Sequence, residues 1–189
     1  MSGRLFFVFL VVAFIAGLPR LASAQVGSVD CKHLGFSFAQ ASDSVSVQCY
    51  RERYSESSSG TGSGDISWTV ETMFVFAWDR VVRITNGKAG SHAYFEKRPV
   101  QTVMRGFDEL KNLGEWESEP DFHHYRIVRF HAMAWYYDSE CFGFVKYGAP
   151  RITQYTGARG VGSFVEGYGC WRKATPDRAT IEGLLDAIK

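Results

Sequence analysis

Trp68-Thr69-Val70-Glu71-Thr72-Met73-Phe74-Val75-Phe76-Ala77-Trp78 places Trp68, Val70, Phe74, Phe76 and Trp78 on even positions, with Thr72 as the single polar member of that set. Ser67, Thr69, Glu71 and Asp79 fall on the opposite side. Successive side chains of a strand point to opposite faces of the sheet. The stretch therefore predicts a β-strand with one heavily aromatic face and one mixed face. At the 3.6-residue period of a helix the same rings would scatter around the cylinder. The alternation slips at Arg80, which predicts a bulge or break before a strand over residues 81–85. Asn86-Gly87 has the composition of a tight hairpin turn, so a short return strand is expected over residues 91–96.

Strand patterns also occur on either side. Residues 33–40 and 44–54 read as strands, the second because Val45, Val47 and Cys49 alternate with Ser46 and Gln48. Ala41-Ser42-Asp43 suits a hairpin between them, and residues 55–64, almost entirely Ser, Gly and Thr, read as a surface loop. Residues 125–137 and 141–147 form another strand pair, with Asp138-Ser139-Glu140 as the expected turn. One further strand is expected near residues 164–166.

Two segments break the period. After Pro99, the positions Val100, Val103, Met104, Phe107 and Leu110 follow i, i+3, i+4, i+7 spacing. That predicts an amphipathic helix opened by Pro99 and closed before Gly114. Thr175-Pro176-Asp177 predicts a second helix start, with the Thr175 hydroxyl as cap, Pro176 in the first turn and Asp177 at the positive dipole end, and with Ile181, Leu184, Leu185 and Ile188 along one face. Strands in two groups, one mid-chain helix and one C-terminal helix define an α+β class with an antiparallel sheet.

The N-terminus and the cysteines bear on location. Arg4, an apolar run over residues 5–18 and Ala22-Ser23-Ala24 before Gln25 match a cleaved secretory signal. The expected organisation is a signal peptide at residues 1–24 followed by one domain at 25–189. The apolar run of about 14 residues is short of the ~20 needed to span a bilayer, so no membrane span is expected after cleavage. The cleavage site resembles those of Gram-negative exported proteins, which makes the expected location periplasmic or secreted. Cys31, Cys49, Cys141 and Cys170 all lie beyond the cut and have no zinc-type spacing. They are read as disulfides, and local closure favours 31 with 49 and 141 with 170.

Function is less marked. The chain after the cut carries 19 basic and 20 acidic residues, which excludes a general nucleic-acid binder that depends on excess positive charge. The densest polar pattern is Glu117, Glu119, Asp121 and His123, alternate residues that share a face if extended. Clustered oxygens and an imidazole suit a divalent ion, so these four are the candidate metal ligands and would underlie a metal-assisted hydrolase. Aromatic faces stack on sugars and peptides, and guanidinium binds anions bidentately. Trp135, Tyr137 and Tyr155, with Arg151 and Arg159, are therefore the candidate ligand contacts. No cofactor motif is found: the Gly-rich stretch at 157–162 lacks the Lys-Ser/Thr of a phosphate loop. The expectation is a non-catalytic binding or accessory module of the envelope, with a glycan, peptide or protein partner. The rivals are the metal-assisted hydrolase and a structural or inhibitory protein that docks on a partner.

Overall fold

The computed structural model describes residues 25–40, 46–56, 66–90, 92–152 and 159–189. The expected signal peptide at 1–24, the expected 41–43 hairpin, most of the 55–64 loop and Tyr155 lie outside these. A single antiparallel sheet dominates, bent into a half-barrel. Its long strands are β2 (Ser46–Glu56), β3 (Ile66–Phe76), β4 (Arg80–Ala89), β7 (Tyr125–Ala134), β8 (Tyr137–Tyr147) and β11 (Ser163–Trp171). The spatial order is β2-β3-β4-β11-β8-β7, so β11 crosses back to lie between β4 and β8. Short β1 (Gln25–Ser28) edges β2, while β5 (Leu110–Lys111) and β6 (Trp116–Phe122) both pair with β7. β9 (Pro150–Ile152) and β10 (Arg159–Val161) make a separate small ribbon.

Each face of the sheet buries its own core. On one face, α2 (Arg178–Asp186) and the segment carrying Phe36 and Phe38 cover Met73, Val75, Ile84, Ile127, Phe142, Phe144 and Trp171. On the other, α1 (Val100–Arg105), Phe107 and Leu110 cover Val128, Phe130, Ala132, Val145 and Tyr168. The two helices thus sit on opposite faces of the sheet, giving a mostly antiparallel α+β architecture with a mid-chain and a C-terminal helix.

Several local expectations are corrected. Residues 33–40 are not a strand. A 3-10 turn at Cys31–His33 leads into a segment that hydrogen-bonds the chain end, Ser37 with Lys189 and Ala39 with Ala187. Its apolar alternation serves to cover α2. Asn86-Gly87 lies inside β4, paired with Glu71 and Val70 on one side and Val165 and Phe164 on the other. Glycine is needed there because the Phe164 ring occupies the place of a Cβ. The expected return strand at 91–96 reduces to one bridge, Phe95 with Val161. The mid-chain helix stops at Arg105, with Gly106 as its cap; Phe107 and Leu110 remain buried but reach the core from irregular chain and β5. The β7–β8 turn is Trp135-Tyr136, both at positive φ (50° and 70°), and the expected turn residues 138–140 lie inside β8. Asp177, not Thr175, caps α2 by accepting from the Thr180 amide. β11 runs nine residues where only a fragment was expected, because its glycines pack instead of turning.

Both disulfides form as local closure predicts. Cys31–Cys49 ties the N-terminal segment to β2, and Cys141–Cys170 joins residues paired in register on β8 and β11. No described cysteine is unpaired. The pair of bridges fits an oxidising, extracytoplasmic setting. Among the described residues no helix is long and apolar enough to cross a membrane.

The glycines of the central strands give a test. A methyl on Gly167 would collide with the backbone carbonyl of Arg83, which cannot move without opening the β4–β11 ladder. A methyl on Gly143 would meet the thioether of Met104, which can rearrange. Gly143→Ala should cost about 1–3 kcal/mol as ordinary overpacking, and Gly167→Ala clearly more. Urea unfolding midpoints of the two variants check the order, and equal losses would contradict it.

Candidate functional site

In-register pairing shows which residues share the α1 face. Thr72, Thr85, Glu166 and Val145 form one row across β3, β4, β11 and β8; Val70, Gly87, Phe164 and Tyr147 form the next. Helix α1 packs over β7, β8 and β11. Towards β2 and β3 the same face is only half-buried: Tyr50, Trp68, Val70, Phe74 and Phe76 all keep some exposure. The aromatic face of β3 is therefore the less buried one, while Glu71, Met73 and Val75 on the mixed face are deep.

A cleft of about 270 Å³ opens at the uncovered edge of this face, lined by Tyr94, Phe95, Glu96, Arg98, Tyr147, Phe164 and Glu166. Its outer wall is the extended segment 94–98. Tyr147 fixes that wall by accepting from the Arg98 amide (2.7 Å) and donating to the Arg98 carbonyl (2.8 Å). Phe95 stands edge-on to Phe164 with ring centres 4.7 Å apart. The floor carries Glu166, whose side chain is only 9% exposed.

Glu166 differs from the other sequestered acids. Glu71 accepts from the Gly35 amide and from Arg51, Glu109 from Arg83 and the Tyr168 hydroxyl, and Glu119 from Arg129 and Arg178. Glu166 has no hydrogen-bond donor among the described residues. Its nearest cation, Arg98 Nη2, is 3.9 Å away, beyond hydrogen-bond range. The neighbouring Thr85 hydroxyl is engaged with Thr72 and Arg83 instead. Since no fully buried side-chain oxygen among the described residues lacks a partner, the Glu166 carboxyl opens towards the cleft. Burial pushes that carboxyl above the ordinary glutamate range, with Arg98 and, less, Arg83 pulling it back. Burial likewise raises Tyr147.

The residues expected from sequence lie elsewhere and do not converge. Glu117 and Asp121 are exposed on β6, and a register shift between Glu119 and Phe122 interrupts their alternation. Glu119 is held by its two arginines. His123 sits in the β6–β7 turn at φ 46°, 3.6 Å from Asp186. Among the described residues no three His, Cys, Asp or Glu side chains gather into a metal-holding group. Trp135 is half-buried against Phe74 and Phe76 and donates to the Tyr168 hydroxyl. Tyr137 is exposed under the Arg172 guanidinium, 3.4 Å from its ring centre. Arg151 clamps the carbonyls of Ala89, Gly90 and Ala93, and Arg159 is exposed on β10.

Comparison with protein-family models, with curated proteins and with solved structures finds no match for this chain. The cleft residues were legible only in part. Phe164, Glu166, Tyr168 and Cys170 alternate in the sequence, so a lone charge on an otherwise apolar strand face was visible; the pairing with segment 94–98 was not.

A second pocket of about 170 Å³ lies on the α2 side of the sheet, beside His131. Nε2 of His131 meets Asp138 at 2.7 Å and Nδ1 meets Glu140 at 3.2 Å. Both ring nitrogens are thus engaged, which leaves no lone pair for a substrate proton or a metal. Hydrogen bonds to Glu140 first and Asp138 next raise the His131 pKa above 6.5; Arg172 and Lys173, which line the same pocket, are the opposing charges. A raised folded-state pKa means that the protonated ring's stabilisation is complete below pH 6.5 and fades as pH rises through the folded value. Because these side chains are about half exposed or more, its size should stay below about 1 kcal/mol. His131→Asn should flatten stability in that window, measured by urea unfolding across pH. An unchanged slope would contradict the pairing.

Proposed function

We propose that the chain is a non-catalytic binding module of the cell envelope, exported to the periplasm or beyond, that holds a small ligand in the cleft above Glu166. One observation carries this reading: a carboxyl nine-tenths removed from water is left without a donor at the floor of an aromatic-walled cleft. Burying such a group costs free energy unless it is hydrogen-bonded, and a cost of that kind at a concave site is a mark of function. The cleft contains one tyrosine-anchored wall, aromatic rings, two carboxylates and one guanidinium. Among the described residues its lining includes no serine, cysteine or histidine nucleophile, which supports binding over turnover.

A docking role has separate support. Trp78 and Tyr136 are 85% and 92% exposed, and the antiparallel order puts their two turns at the same end of the sheet. Bare aromatics at one end suit a protein or glycan surface.

The binding reading is tested by amide NMR of the mature chain against small amines, organic acids and neutral sugars, one compound at a time. Saturable shifts at residues 94–98, 147 and 164–166 are expected for at least one chemical class. Titrations that leave all of these amides unmoved, or that move only the turns carrying Trp78 and Tyr136, would overturn it.

A further inference from the structure

Resting on that reading, we propose that the cleft is built for a small organic ammonium ion, with the Glu166 carboxylate as its counter-ion and the surrounding rings as its wall. Three observations point to this class. The first is charge. Glu96 and Glu166 face one cation, Arg98, so the lining carries a formal charge of −1.

The second is the state of Glu166. The hydroxyls on the adjoining strand positions are committed. Tyr147 is spent on the Arg98 backbone, Thr85 on Thr72 and Arg83, and Tyr168, two residues along β11, on Glu109. A ligand that brings its own positive charge supplies what the protein withholds, and an ion pair formed in such a semi-enclosed site is stronger than the same pair in water.

The third is the wall. Tyr94, Phe95, Tyr147 and Phe164 all line the cleft, and Tyr94 is 40% exposed. Aromatic rings attract cations through their quadrupole, and a cluster of rings around an acid is a known way to hold an ammonium group. The volume of 270 Å³ corresponds to about nine water molecules at ~30 Å³ each. That is room enough for a choline-sized ion.

Arg98 completes the argument. Its backbone is fixed by Tyr147, but its side chain is 48% exposed and stops short of Glu166. It acts as a placeholder cation that an incoming ammonium displaces to solvent. The two charged residues therefore have opposite expected effects. Removing Glu166 weakens ammonium binding, and removing Arg98 strengthens it. A ligand held through its own carboxylate or phosphate would show the reverse for Arg98.

The test titrates the mature, disulfide-bonded chain with choline and with its uncharged isostere 3,3-dimethylbutan-1-ol, following the amides of residues 94–98 and 164–166. Choline is expected to bind at least tenfold tighter than the isostere. Glu166→Gln should lose at least tenfold of that affinity, and Arg98→Ala, which keeps the backbone contacts to Tyr147, should gain. If the isostere binds as well as choline, or Arg98→Ala weakens binding, the ammonium assignment fails while the cleft stands as a binding site. If neither compound moves these amides but an acid or a sugar does, the assignment also fails. Silence of every compound in the panel brings down the binding reading as well.

Discussion

Strand β11 is constrained on four sides, and the other elements are arranged around that constraint. Its two edges are hydrogen-bonded to β4 and β8 along nearly their whole length. Trp171 faces the α2 core, while Tyr168 and Cys170 face the α1 core. Cys170 is bonded to its register partner Cys141. Buried on both faces, such a strand has room for side chains only where neighbours leave it, which is why Gly167 and Gly169 lie against the Arg83 carbonyl and the Phe142 and Trp171 rings. A charge in this environment requires compensation, and Glu166 is the charge that β11 carries.

The size of the first helix decides how much of that sheet face is covered. Six residues, ended by Gly106, cover only the β7–β8–β11 part of a much wider sheet. The remaining rows keep the half-exposed rings of β2 and β3 and the cleft bounded by segment 94–98. A helix running on to Gly114, as its apolar spacing alone suggests, would have used Phe107 and Leu110 on one continuous stripe. Here those residues reach the core from turn and strand, and the sheet face beyond them stays accessible. The cleft itself lies before the helix, where segment 94–98 leads into its start at Val100.

What the sequence disclosed follows the range of the forces concerned. Period-two alternation over 68–76, the aromatic and β-branched content of 125–134, the apolar spacing of Val100, Val103 and Met104, and the stripe of Ile181, Leu184 and Leu185 are local patterns, and each marks a real element or buried face. The disulfide partners were also local, since each closes the shorter loop. Failures arose where tertiary packing overrides local chemistry. Asn86-Gly87 has turn composition but serves as a packing gap beneath Phe164. Trp135-Tyr136 has none of the usual turn composition yet forms the turn, because Trp135 is anchored on Phe74, Phe76 and Tyr168. The acidic run at 117–121 drew attention through density, whereas the Glu166 cleft depends on residues 94–98, 147 and 164–166 meeting across the chain. No spacing rule brings those together.

The central claim is that Glu166 is a sequestered carboxyl the protein itself leaves unserved. Its most direct measurement is the Glu166 Cδ chemical shift followed by carbon NMR across an acid–base titration of the ligand-free chain. The account predicts a midpoint above the ordinary 4.5 of a glutamate, because desolvation outweighs the distant guanidinium. A midpoint at or below 4.5 would mean that protein donors already satisfy the carboxyl, and would contradict the account.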